Sequence, residues 1–220
     1  MIITELIITP IAVCDPPLLN AAGIHAAYAL RIILEIQTNN GLTGISEIPG
    51  SEKTHQALEN IALNIIGSDP FNLNKIQIAI ENSLGTPEET RGGKPWDSRT
   101  IVHIKSAVEV ACLDLIGKAI DRPVSDLLGG AVRDKVPFAA YLFFKREGAG
   151  GQLGFGTKPK AVGWDLARQQ EALNPAQIVA QAEVMCREYG YQSIKLKGGV
   201  LHPDIEVESI LALREAFGPN

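Results

Sequence analysis

The chain has 220 residues, enough for one large domain or two small ones. It is 45% hydrophobic and 20% charged, the balance of an ordinary soluble globular protein. Its net charge of −5 and pI near 5.4 argue against nucleic acid or an anionic membrane as a partner. Cys14, Cys112 and Cys186 lie far apart without metal-ligand spacing. Cys112 and Cys186 fall within apolar helical patterns and read as core thiols. An odd, unpaired count points to a reducing compartment, the cytoplasm. Met1 to Glu5 carries no basic stretch and no cleavage site, so it reads as a strand rather than a signal peptide. No apolar run approaches the roughly 18 residues of a membrane helix.

Ile2 to Cys14 is β-rich, and Tyr28 to Thr38 is a second strand with Leu30, Ile32, Leu34 and Ile36 on one face. Asn39-Asn40-Gly41 is a turn signal, and Leu42 to Ile48 returns as a third strand of an antiparallel meander. A helix over Ser51 to Ile66 is opened by Ser51 as cap and interrupted by Gly67-Ser68-Asp69-Pro70. A second helix runs from Phe71 or Asn72 to about Leu84, and Gly85 to Arg99 reads as a polar loop. Thr100 to Ile120 is a long helix with Val108, Cys112, Leu115 and Ile116 on one face, ended by Asp121-Arg122-Pro123. Val124 to Leu128 adds one helical turn before Gly129-Gly130. Strands followed by a run of helices predict an α+β domain over 1–130.

After Gly130 the rhythm changes. Val136 to Phe144 is a strand, Lys145 to Gly163 a long loop with Gly148, Gly150, Gly151, Gly154 and Gly156, and Pro175 to Tyr189 a helix capped by Asn174. A short strand around Lys195 and a helix from Asp204 to Phe217 follow. This is the opening of a parallel α/β array over 131–220, and two such units cannot close a barrel, so the chain reads as truncated.

Lys195 and Lys197 lie two apart in Ser193-Ile194-Lys195-Leu196-Lys197. Strand alternation sets Ile194 and Leu196 on one face and Ser193, Lys195 and Lys197 on the other. The flanking helices predict a strand covered on both sides, where two neighbouring ammonium groups disfavour each other's charge and one can serve as a base. The alternative from spacing alone is an edge strand carrying two solvated lysines.

Several stretches resemble a known family. They are Asn20-Ala21-Ala22-Gly23-Ile24-His25-Ala26, Gly44-Ile45-Ser46-Glu47-Ile48-Pro49-Gly50 and Val108-Glu109-Val110-Ala111-Cys112-Leu113-Asp114-Leu115-Ile116-Gly117. Leu127-Leu128-Gly129-Gly130, Tyr141-Leu142-Phe143-Phe144 and Lys195-Leu196-Lys197-Gly198-Gly199-Val200-Leu201 follow in the same order. Together they resemble the N-terminal half of the glucarate dehydratases, in the mandelate racemase-like branch of the enolase superfamily. The resemblance implies an α+β capping domain followed by the first part of a (β/α) barrel. It also implies Mg²⁺-assisted dehydration of D-glucarate to 5-dehydro-4-deoxy-D-glucarate. A proton beside a carboxylate is very weakly acidic, so its removal takes a base and a cation to stabilise the enediolate.

By the same resemblance Lys197 is the base and Lys195 its neighbour beside the substrate carboxylate. The opposing histidine base and the metal ligands are expected beyond residue 220. His25 and Asn20 are implied substrate contacts, and Tyr141 and Phe143 are implied to line the substrate pocket. From spacing alone His25 reads as a surface histidine and Phe143 as barrel core. Within Arg91 to Arg99, Pro95 stands where relatives are expected to carry a threonine, so that hydroxyl contact is lost or comes from a neighbour such as Thr100. His55, His103 and His202 read as structural or surface residues, and Glu109 and Asp114 as structural charges on the long helix.

The implied partner is a small acid sugar, and the sequence leaves open whether the full-length protein is a homo-oligomer. Two rival readings are another acid-sugar dehydratase of the superfamily and a non-catalytic fragment acting by association. Lys197-Gly198-Gly199 before a helix also hints weakly at a phosphate nest. The expectation is that these 220 residues alone are inactive, and that 131–220 are less protected from exchange than 1–130.

Overall fold

The computed structural model describes residues 1–85, 100–148 and 160–218. They form two compact units, one of 1–13 and 30–132, the other of 14–29 and 133–220. The segment 14–29 therefore leaves the first unit's sequence and packs with the second.

In the first unit, β1 (Ile3–Cys14), β4 (Tyr28–Thr38) and β5 (Thr43–Pro49) form a sheet in the order β1-β4-β5. Strands β4 and β5 are antiparallel, with Ile36 opposite Gly44 and Ile32 opposite Ile48. Ile32, Leu34 and Ile36 are buried as the alternation requires, whereas Leu30, at the start of the strand, is exposed. Helices α1 (Glu52–Ile65), α2 (Leu73–Leu84) and α3 (Thr100–Ile120) follow, with the turn α4 (Val124–Leu127). The Ser51 hydroxyl accepts the Thr54 N–H at 3.0 Å, so the expected cap opens α1.

The core of this unit joins the sheet to all three helices: Leu58, Ile61 and Ile65, Ile76 and Ile80, and Ile104, Val108, Cys112 and Leu115. Helix α3 lies so close to β5 that a Cβ on Gly44 would sit 2.1 Å from the Ala111 carbonyl oxygen. The same approach lets Asp114 accept the Ile45 N–H at 2.9 Å, while Lys118 donates to Asp114 at 2.7 Å and to the Thr43 carbonyl at 2.6 Å. Asp114 thus fastens helix to sheet, and Glu109 accepts from Gln77 at 3.4 Å.

In the second unit, a small hairpin of β2 (Leu19–Asn20) and β3 (Gly23–Ile24) precedes β6 (Ala139–Phe143), α5 (Gly163–Ala167), α6 (Pro175–Tyr189), β7 (Ser193–Lys197) and α7 (Pro203–Phe217). Strands β6 and β7 pair in parallel. Asn174 caps α6 by accepting the Gln177 N–H at 3.0 Å. Ala140, Leu142 and Phe144 pack with Ile178, Ala182, Met185 and Leu213, and the half-buried Ile194 and Leu196 join them.

Strand β6 is shorter than the expected Val136–Phe144. Pro137 has no N–H to give a ladder, and Val136 and Phe138 are exposed. Helix α5 and the β2–β3 hairpin go beyond the sequence expectation; a five-residue helix and two-residue strands are too short to show a period. Gly150, Gly151, Gly154 and Gly156 of the expected loop lie outside the described residues, as does 91–99 with Pro95. Among the described residues no helix is long and apolar enough to cross a membrane.

Candidate functional site

Strand β7 places its side chains as the alternation predicts. Ser193, Lys195 and Lys197 are exposed, while Ile194 and Leu196 turn inward. Cover on both faces is not what the structure shows: among the described residues this sheet has two strands, and only the Ile194–Leu196 face meets a core.

The parallel register sets Tyr141 opposite Lys195 and Phe143 opposite Lys197. The Lys195 ammonium lies 4.3 Å from the Tyr141 ring centroid, a cation–π distance. Tyr141 and Phe143 share a face with ring centroids 4.5 Å apart. Phe143 turns away from the core that takes Leu142 and Phe144, and its ring meets His25 edge-on at 6.4 Å.

His25 reaches this place because the hairpin is stitched to the end of β6. Leu19 N–H donates to the Phe144 carbonyl at 2.8 Å and Arg146 N–H to the Pro17 carbonyl at 3.2 Å. The His25 N–H donates to the Leu18 carbonyl at 2.9 Å, and its Nδ1 lies 4.0 Å from Asp15. Asn20 is on the same hairpin, but its Oδ1 is engaged locally, accepting the Ala22 N–H at 2.7 Å. Five of the six expected residues therefore share one strand-and-hairpin surface, with Asn20 on its flank.

Lys145 is a residue that the sequence reading passed over. It is 2% exposed and donates to the carbonyls of Ala167, at 3.2 Å, and Gln170. Its backbone pairs both ways with Ala172. Burial lowers its pKa from 10.5 to about 8, helped by the charge of Arg168 and opposed by Glu171. Tyr141, Phe143 and Lys145 line a cavity of about 270 Å³ with Pro16, Leu18, Trp164, Arg168 and Gln181. The signal available was the alternation 141, 143, 145, which carries a lysine onto the aromatic face just past the strand.

After β7 the backbone turns around a carboxylate. Glu206 accepts the N–H groups of Gly199, Val200 and Leu201, each at 2.8 Å. The nest hinted at by Lys197-Gly198-Gly199 is thus filled from within, which removes the phosphate reading. His202 caps α7, its Nδ1 accepting the Asp204 N–H at 3.4 Å. Among the described residues no group of three or more His, Cys, Asp or Glu is placed to hold a metal ion.

Comparison with known proteins fits this arrangement. The family model for the N-terminal domain of mandelate racemase and muconate lactonizing enzyme matches residues 3–129. A probable glucarate dehydratase of Streptomyces coelicolor is 37% identical over 223 residues, covering 98% of this chain and 50% of that protein. An enolase of Pseudomonas fluorescens Pf0-1, crystallised with bound magnesium, potassium and tartrate, superposes with a TM-score of 0.83 at 43% identity, covering 98% of this chain and 49% of its own. One from Thermobispora bispora, complexed with magnesium and formate, gives 0.84 at 43% identity, with 99% and 50% covered. The chain spans about half the length of these relatives. A capping sheet with its helices, followed by the first parallel strands of an α/β array, is the family's arrangement, and the chain belongs to the mandelate racemase/muconate lactonizing enzyme family of the enolase superfamily.

Proposed function

We propose that the chain is part of an acid-sugar dehydratase, a hydro-lyase that converts D-glucarate to 5-dehydro-4-deoxy-D-glucarate. The observation that carries this reading is the register of β6 and β7, which sets Lys195 and Lys197 on one exposed face beside Tyr141 and Phe143, with His25 against Phe143. Lys197 takes the proton from the carbon next to a substrate carboxylate. Lys195 pairs electrostatically with that carboxylate. Loss of hydroxide from the adjacent carbon then yields an enol, which becomes the keto acid. His25 and the Asn20 amide group contact substrate oxygens, the Tyr141 hydroxyl donates to another, and the Phe143 ring walls the pocket.

Magnesium is the cofactor proposed for the whole protein, where a divalent cation stabilises the enediolate. The described residues do not themselves supply its ligand set, which is expected beyond Asn220. A small acid sugar as partner and a cytoplasmic location complete the proposal, together with the division into a capping domain over 1–130 and barrel units over 131–220.

The test is incorporation of solvent deuterium into D-glucarate by the full-length protein. Lys197→Arg should abolish exchange on one face, because a guanidinium stays charged and accepts no proton. Near-normal exchange on both faces would leave the two lysines as electrostatic contacts only. The 220 residues alone should form no keto acid, with or without Mg²⁺.

A further inference from the structure

We infer that Glu206 is a positioning residue for the lysine strand: its carboxylate, by gripping the backbone that leaves β7, fixes where Lys197 stands. The inference rests on the reading of Lys197 as the base, and it concerns a residue outside the lysine strand and the substrate face.

Lys197 is the last residue of β7, and nothing beyond it continues the ladder with β6. A strand end frays unless the chain after it is held. Here three of the four backbone N–H groups that follow Lys197, those of Gly199, Val200 and Leu201, are held by one side chain. The Glu206 Oε2 accepts from Gly199, and Oε1 accepts from Val200 and Leu201, each bond 2.8 Å long. Such charge-assisted bonds are roughly twice as strong as neutral ones.

Glu206 can reach back because it sits near the start of α7, which Pro203 opens at its first position and His202 caps. The helix is anchored in turn through Leu213, which is buried with Ile178, Ala182 and Met185. The grip therefore links Lys197 to the unit's core. Burial works against the charge, yet the N–H groups of Gly199, Leu201 and Val200 together hold the carboxyl below the usual carboxylate value.

Gly198 supports the same geometry. A Cβ there would lie 2.7 Å from the Glu206 Oε2, so a side chain at 198 makes the carboxylate shift on the turn. The glycine thus leaves room for the carboxylate to seat on the turn.

The test is backbone and side-chain NMR of this chain without substrate, so its outcome is independent of whether Lys197 acts as a base. In Glu206→Gln, amide exchange at Gly199, Val200 and Leu201 should accelerate about tenfold or more, the equivalent of about 1.4 kcal/mol of lost hydrogen bonding. The Phe143–Lys197 cross-strand NOEs should weaken, while those between Tyr141 and Lys195 persist. Glu206→Asp keeps the charge but is one methylene shorter, and should behave like the glutamine variant. Gly198→Ala, with Glu206 intact but its carboxylate shifted, should accelerate the same three amides by a smaller factor, and it keeps the test decisive if a Glu206 variant fails to fold. Unchanged amide exchange in the folded variants overturns the grip. Faster exchange with unaltered Phe143–Lys197 NOEs overturns the positioning role.

Discussion

Lys195 carries its ammonium 4.3 Å from the centroid of the Tyr141 ring, and Tyr141 is its partner across the parallel β6–β7 ladder. Both residues leave their strands on the same face, so the contact depends on register. A slip of one residue would turn the lysines and the aromatics to opposite sides. Replacing Tyr141 by Phe keeps the ring and should keep the Lys195 side-chain methylene resonances shifted by ring current. Tyr141→Leu should return them to ordinary lysine positions and cost about 0.5–1 kcal/mol from the lost cation–π contact. NMR of the two variants and a urea titration check this; identical lysine shifts in both would remove the contact.

Lys145 makes stability depend on pH in an unusual direction. Its pKa falls from 10.5 to about 8 on folding, chiefly through burial. Between those values the unfolded chain binds the proton and the folded chain does not, so this residue's contribution to stability rises with pH through that window. Below about pH 8 both states are protonated and the contribution is flat. Other groups also titrate at high pH, so the useful quantity is the difference from Lys145→Met. Urea midpoints of the two proteins should separate in favour of the wild type as pH rises from 8 to 10.5. Parallel midpoint curves would show that Lys145 titrates normally.

Gly44 admits no side chain. Its missing Cβ would fall 2.1 Å from the Ala111 carbonyl oxygen and 2.7 Å from Leu115 Cγ. Unlike the tip of a flexible side chain, a helix carbonyl cannot step aside alone, so α3 must move off β5. That movement also stretches the Ile45–Asp114 bond. Gly44→Ala should destabilise the first unit by about 1–3 kcal/mol or more, as overpacking does. Equilibrium unfolding followed by circular dichroism measures it, and a wild-type midpoint would mean that helix and sheet are not in this contact.

Cys112 should be chemically silent. It is fully buried on α3, and burial, aided by the nearby Glu109 charge, pushes its thiol up to about 12. The thiolate is the nucleophile, so at neutral pH both access and ionisation oppose reaction. Iodoacetamide labelling with peptide mass mapping should modify the half-buried Cys14 in the folded chain and Cys112 only when urea opens it. Comparable labelling of Cys14 and Cys112 under native conditions would contradict the packing of α3.

The sequence alone determined what local periodicity and capping chemistry can specify. The alternation in Tyr28 to Thr38, the Ser51 and Asn174 caps and the apolar face of α3 are each fixed within a few residues, and the structure has them where expected. The same holds for the facing of Lys195 and Lys197, since a strand's period allows only two sides. Tertiary structure decided what depends on residues far apart in the chain. The register that sets Tyr141 against Lys195 is invisible in either strand by itself. His25 meets Phe143 because the hairpin carrying it is hydrogen-bonded to the end of β6, more than a hundred positions further along the chain. Lys145 looked like the first residue of a loop, and only the fold of 160–173 over it made it a buried ammonium. Glu206 is one of several charges on a helix in the sequence, and only the closing of the turn after β7 gives it three backbone partners. In each case the deciding contact is between groups that no local pattern links, and it exists only once the chain has paid the entropy of bringing them together.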